Sequence, residues 1–159
     1  MSVRNQLRGF TLVELVITVA IISLLATAAL PAAELAARRA KEQELSRALR
    51  QVRDAIDAYK QAADEGRIEK KVGDSGYPKQ LEDLVAGVDD RKSTRKAKIY
   101  FLRRLPRDPF ADVEMAPSAT WGKRSYASPP DDPKAGDDVY DVYSLSGATG
   151  LNGRPYREW

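Results

Sequence analysis

Residues Phe10 to Leu30 read FTLVELVITVAIISLLATAAL, 21 positions carrying one charge, Glu14. As an α-helix rising 1.5 Å per residue the stretch covers about 30 Å, the thickness of a bilayer's hydrocarbon core. It is apolar on every face, whereas a helix on the surface of a soluble domain shows one apolar stripe. The rest of this 159-residue chain is too small to surround it as a core helix. The segment therefore reads as a membrane span. MSVRNQLRG precedes it, with Arg4 and Arg8 and no acid. Basic residues hold that end in the cytoplasm, so the polar bulk of the chain lies across the membrane. A secretory signal would carry a small-x-small cleavage site after its apolar run. Ala26, Ala28 and Ala29 offer a late imitation of one, but a glycine stands before the run instead.

Glu14 is the informative residue of the segment. A carboxylate inside a spanning helix costs about 2.5–3.5 kcal/mol on insertion scales. Either it lies near the interface and snorkels, or it has a dedicated cationic partner. A cut between Gly9 and Phe10 would create an α-amine one helical turn from Glu14, on its own chain or a neighbouring one. Such a pair, buried in apolar surroundings, would set the axial register between subunits.

Outward from the span, Leu45, Leu49, Val52, Ile56 and Tyr59 recur at spacings of 4, 3, 4 and 3, one apolar stripe at helical period. The charged residues between them, from Arg38 to Asp57, read as a solvated face, with Arg50–Asp54 and Arg53–Asp57 as i,i+4 pairs. Gly66 is a natural stop. One helix is expected from about Thr11 to Asp64, with Pro31 interrupting it, since proline removes an N–H and crowds the preceding turn. Ala28, Ala29, Ala32 and Ala33 permit close approach of neighbouring helices. Beyond Gly66, Pro78–Val85 suits a short helix with Leu81, Leu84 and Val85 inward, and 89–98 a charged loop. Ile99–Leu102, Arg124–Ala127 and Val139–Leu145 suit strands, the last with Val139, Asp141 and Tyr143 on one face and Tyr140 and Val142 on the other. Segments rich in Pro, Asp, Ser and Gly separate them. The expected fold is α+β: a long N-terminal helix, half transmembrane and half amphipathic, packed on a small antiparallel sheet. The divisions are a leader at 1–9, a transmembrane helix at 10–30, an amphipathic spine at 31–66 and a head at 67–159.

Composition excludes several chemistries. Histidine and cysteine are absent. That removes Cys/His zinc sites, thiol nucleophiles, disulfides and a Ser-His-Asp triad. A net charge of +3, from 26 basic and 23 acidic residues, is too balanced for nucleic-acid binding without a clustered basic face. Asp131, Asp132, Asp137 and Asp138 lie in a Pro/Gly-rich stretch where aspartate serves turns rather than a metal or an acid–base pair. The glycines at 147, 150 and 153 lack the Lys-Ser/Thr and helix of a phosphate loop. Tyr126, Tyr140, Tyr143 and Trp159 suit the core and edge of the head rather than a base-stacking platform. No catalytic or metal site is expected.

Gly9-Phe10-Thr11-Leu12-Val13-Glu14, between a short basic leader and an apolar run, resembles the class III signal of type IV pilins and pseudopilins. The resemblance implies cleavage after Gly9 by a prepilin peptidase and N-methylation of Phe10. It also implies neutralisation of a neighbouring subunit's amino terminus by Glu14 and a helix that loosens near Pro31 in assembled filaments. The head is similar to the major pseudopilins of type II secretion. Gly76-Tyr77-Pro78 and Leu81–Val85 resemble the loop after their spine helix. Tyr100 to Phe110 resembles their YL-x-x-x-P-x-DPW segment, with Phe110 in place of Trp. Val139 to Ala148 resembles their final strand.

The resemblance thus implies a non-enzymatic subunit of a type II secretion pseudopilus, anchored by one span in the inner membrane with its head in the periplasm. Its implied partners are copies of itself, minor pseudopilins, prepilin peptidase, the inner-membrane assembly platform and, before assembly, membrane lipid, but no nucleic acid. The alternatives are a pilin of a surface type IV pilus and a membrane-anchored periplasmic binding protein that never polymerises. In major pseudopilins the final strand leads to an acidic loop that binds calcium. Here Thr149 to Gly153 contains no acid and the ending Arg154 to Trp159 is atypical, so no cofactor is expected, with calcium as the one alternative.

Overall fold

The computed structural model describes residues 10–95 and 97–159. Helix α1 runs Leu12–Asp64 and contains Pro31 without ending there. The chain divides into two units at Ala40/Lys41. In the first unit the large apolar side chains from Leu12 to Leu25 are exposed, and the 18-residue window that qualifies α1 as a candidate membrane span has no buried residue. Its hydroxyls bond back to the helix itself: Thr18 Oγ1 to the Leu15 carbonyl at 2.9 Å, Ser23 Oγ to Val19 at 2.8 Å and Thr27 Oγ1 to Leu24 at 2.7 Å. No polar side chain in that stretch other than Glu14 therefore requires water.

The second unit is built on the remainder of α1. Leu45, Leu49, Val52 and Ile56 are at most 2 % exposed, so the stripe read at helical period is the core face. Tyr59 packs beside it, its ring 5.3 Å from that of Phe101. The helix ends in a Schellman turn: Gly66, at φ 72°, donates to Ala63 O, and Arg67 donates to Ala62 O at 2.9 Å. Ile68 then folds back against Ala62 and Ala63.

Beyond the helix the structure corrects several expectations. The helix read over Pro78–Val85 is one turn, α2, at Asp83–Ala86. Val139 N–H takes the Pro78 carbonyl, and the Asp83 carboxylate accepts the Gln80 N–H, so the residues before Asp83 form turns instead. The stretch 89–98, read as loop, carries strand residues at both ends: β1 (Val88–Asp89) pairs antiparallel with β2 (Lys98–Ile99). The strand read over Ile99–Leu102 stops at Ile99, because Phe101 and Leu102 both donate to Leu84 O. The strand read over Arg124–Ala127 lies three residues earlier, as β3 (Trp121–Arg124). Past Arg124 the N–H groups turn to Lys134 O and to the Asp138 carboxylate.

The strand read over Val139–Leu145 is β4, Asp141–Ser144, in the register Trp121↔Ser144 to Arg124↔Asp141. Within β4 burial alternates, Val142 and Ser144 inward. Val139 is also buried, three residues before Val142, so the alternation does not extend to it and it does not share a solvent-side face with Asp141 and Tyr143. Gly122 faces Tyr143 so closely that an added Cβ would lie 2.2 Å from the ring. The core joins the stripe of α1 to Leu81, Leu84, Leu102, Trp121, Val139, Val142 and Tyr156. The fold is α+β and type IV pilin-like, a long helix with two small antiparallel strand pairs.

Candidate functional site

Thr11 supplies the start of α1. Its hydroxyl accepts the Glu14 N–H at 3.2 Å and its carbonyl accepts the Leu15 N–H at 3.1 Å. This is the N-cap arrangement of a Ser/Thr residue three positions before a Glu, a spacing readable in Thr11-Leu12-Val13-Glu14. The cap places Glu14 in the first turn, where a carboxylate faces the positive end of the helix dipole. Phe10 stands outside the cap and is 80 % exposed. Gly9, the other half of the expected cleavage site, lies outside the described residues. An α-amine at Phe10 would therefore sit at the amino end of a fixed helix rather than on a loose tail.

A second set of charged residues ties the chain's last segment to the helix. Glu42, read from the sequence as part of a solvated face, is buried. One of its carboxylate oxygens accepts both the Tyr156 hydroxyl and the Leu151 N–H, each at 2.8 Å. Arg53, expected to pair with Asp57, instead reaches β4 and the chain's last residue. Its Nε donates to Asp141 Oδ1 at 2.8 Å, and an Nη donates to Val142 O at 3.1 Å and to Trp159 O at 2.8 Å. Arg50 turns to the Ser46 hydroxyl rather than to Asp54. Both residues occupy stripe positions: Glu42 is three before Leu45, and Arg53 is four after Leu49 and three before Ile56. A charge falling on an apolar stripe is the signal that marks them.

Tyr156 is wedged between rings, stacked on Phe110 at 4.3 Å and edge-on to Trp159 at 5.2 Å. Phe110 is positioned by Asp108, whose buried carboxylate accepts the Phe110 N–H at 2.8 Å and the Ser144 hydroxyl. The Asp-Pro-Phe segment thus serves as the seat of the C-terminal turn.

The donor set does not suit calcium, which needs six to eight oxygens, several from carboxylates. The turn from Thr149 to Gly153 is closed by its own backbone, Gly150 N–H to Arg154 O at 2.8 Å. Asp141 is shared between Arg53 and Arg124, and Asp138 accepts the Tyr126 N–H. Among the described residues no three His, Cys, Asp or Glu side chains converge as metal ligands. In the acidic stretch Asp132 pairs with Lys134 at 2.7 Å, and Asp131 and Asp137 are exposed. Of the aromatic residues read as core and edge, Tyr140 stands edge-on to Tyr77 at 5.0 Å while Tyr126 remains 62 % exposed.

A capped apolar helix with one acid in its first turn, continuing as the spine of a small α+β head, has the build of a type IV pilin-like protein. Comparison with known families agrees at the segment that matters most: residues 4–30 match the prokaryotic N-terminal methylation motif, a class III signal that supports a type IV pilin-like protein. Such a signal implies processing by a prepilin peptidase and pilus-like polymerisation, and with the apolar helix it fits a single-pass membrane anchor. No curated protein and no solved structure matches the chain.

Proposed function

We propose that the protein is a structural subunit of a type II secretion pseudopilus, stored in the inner membrane and polymerised into a periplasmic filament that drives folded proteins outward. Gly9 and Phe10 are the processing site, with Phe10 N-methylated. Glu14 neutralises the new amino terminus of a neighbouring subunit and so sets the axial register. Pro31 leaves Thr27 O without its usual helical donor, a weak point where the helix can loosen on packing. The subunit works as a building block, with neither catalysis nor a bound cofactor, alongside minor pseudopilins and an inner-membrane assembly platform.

The observation that carries polymerisation is the Thr11-capped start of α1, which fixes Glu14 in the first turn beside Phe10. Support for secretion over a surface pilus comes from the Tyr100–Phe110 segment, whose Asp108 and Phe110 seat the C-terminal turn. Deleting the gene in its host tests the choice. Folded exoproteins should accumulate in the periplasm while surface fibres persist. Unchanged secretion with loss of surface fibres, twitching or DNA uptake would assign the chain to a type IV pilus instead.

A further inference from the structure

An open groove of about 1130 Å³ runs along the second unit between α1, α2 and the segment 103–107. Arg47, Arg103, Arg104 and Arg107 line it, against two acids, Glu44 and Glu82. Arg47 and Arg107 are steadied by main-chain oxygens, Gln43 O at 3.3 Å and Asp112 O at 2.6 Å. Arg103 and Arg104 are exposed and make no ion pair among the described residues. Between the guanidinium groups the wall is apolar, formed by Leu105, Pro106 and Pro117 among others. A groove of this kind suits an extended acidic segment with prolines, whose carboxylates meet arginine forks while its rings lie on the apolar wall.

The chain carries such a segment. Residues 129–138, PPDDPKAGDD, hold four aspartates, three prolines and one lysine. Its base is pinned: Ser125 N–H donates to Lys134 O at 2.9 Å, Lys134 N–H to Ser128 Oγ at 2.8 Å, and Ser128 Oγ to Asp132 O at 3.1 Å. Asp131 and Asp132 are exposed on it, Asp132 in a surface ion pair with Lys134 at 2.7 Å. A proline-stiffened, pinned loop loses little conformational freedom on docking. It does not serve its own groove: Asp137 and Asp138 border a different cavity, beside Tyr77 and Ser125, which shares no lining residue with the arginine groove.

We propose that the arginine groove receives the acidic loop 129–138 of a second copy of this chain. The donor and acceptor are different patches of one surface, so the contact is heterologous and propagates into an open filament rather than closing a dimer. The inference rests on the polymerisation reading and adds a head-to-head register to it. The charge pairs set which neighbour docks and in what orientation.

The test uses the full-length chain in membranes. Arg103→Glu with Arg104→Glu, and separately Asp131→Arg with Asp132→Arg, should each lower filament yield by about tenfold, as loss of a charged interfacial contact does. Combining the four changes should restore most of it. All four positions are exposed, so each variant should keep the wild-type melting temperature. The chain has no cysteine, so Arg104→Cys with Asp131→Cys gives an independent readout. Mild oxidation of filaments should yield a ladder of disulfide-linked multimers from the double variant and none from either single one.

Normal assembly of the charge-reversed variants overturns the inference. So does an arginine reversal that loop reversal fails to rescue, since the groove then serves an acidic partner other than this loop. Filaments without a ladder overturn it alone and leave the polymerisation reading standing. A wild-type chain that forms no filaments at all, with no ladder, removes both.

Discussion

At Glu14 two requirements meet in one carboxylate. It sits in the first turn of a helix capped by Thr11, where the dipole favours it, and inside a segment whose other side chains need no water. Glu14→Ala should leave membrane insertion intact, because removing the charge eases burial, while filament assembly is impaired through loss of the inter-subunit pair. Fractionation and filament counts from the same cells check this; a normal filament yield would show that Glu14 only snorkels. Glu42 makes the corresponding case in the head. Its carboxylate accepts two hydrogen bonds in a buried setting. Tyr156→Phe should destabilise the head by about 1.5–3 kcal/mol, the usual range for a hydrogen bond to a charged group. Glu42→Gln should cost a similar amount. The double variant should cost less than the sum, because the two share one bond. Urea melts of the fragment 32–159 measure all three, and strict additivity would mean that the Glu42–Tyr156 hydrogen bond contributes nothing.

Among the elements, α1 was legible almost to the residue. Its apolar run, its stripe at 3.6 spacing and its glycine stop are signals a single sequence carries without tertiary context. The charged residues on it were not. Glu42 and Arg53 fall on the apolar stripe, which sets them apart from their charged neighbours, but the partners that engage them come from residues 141–159 and are encoded by no local pattern. The strands were located only approximately, because each is two to four residues long and its ends are set by tertiary donors. Val139 N–H at Pro78 O, and Phe101 and Leu102 N–H at Leu84 O, are pairings no local pattern encodes.

The small β1–β2 pair shows the same dependence. Arg67, just past the Schellman turn, bonds Asp90 at 2.7 Å, linking the helix end to the residue after β1. That guanidinium, and the Lys92 N–H after it, hold the Asp90 carboxyl below the usual carboxylate range. A carboxyl whose folded pKa lies below its unfolded value of about 3.9 adds stability above that pH and loses it as pH falls through the depressed value. The stability gap between wild type and Asp90→Asn should therefore be present at neutral pH and shrink below about pH 4. Melting curves across that range check it; a gap that is constant with pH would remove the ion pair from the account.

For the molecule as a whole, the head holds its C-terminal turn with its own side chains. Glu42, Arg53 and the Phe110–Tyr156–Trp159 ring stack fasten it. The fragment 32–159 should melt at the same temperature in millimolar calcium as in chelator, whereas a ligand at a hundred times its dissociation constant would add about 2.7 kcal/mol. A clear upward shift in calcium would mean that the turn rearranges to bind the ion.

We propose that this chain is processed as a class III pilin-like subunit and then polymerises through an intact apolar helix. Intact-mass measurement of the membrane-extracted protein tests it most directly. The expected species begins at Phe10, lacks MSVRNQLRG and carries one added methyl group. A chain beginning near Ala29 would mean removal of the helix as an ordinary signal peptide, and a chain still beginning at Met1 would mean no processing; either would contradict the claim.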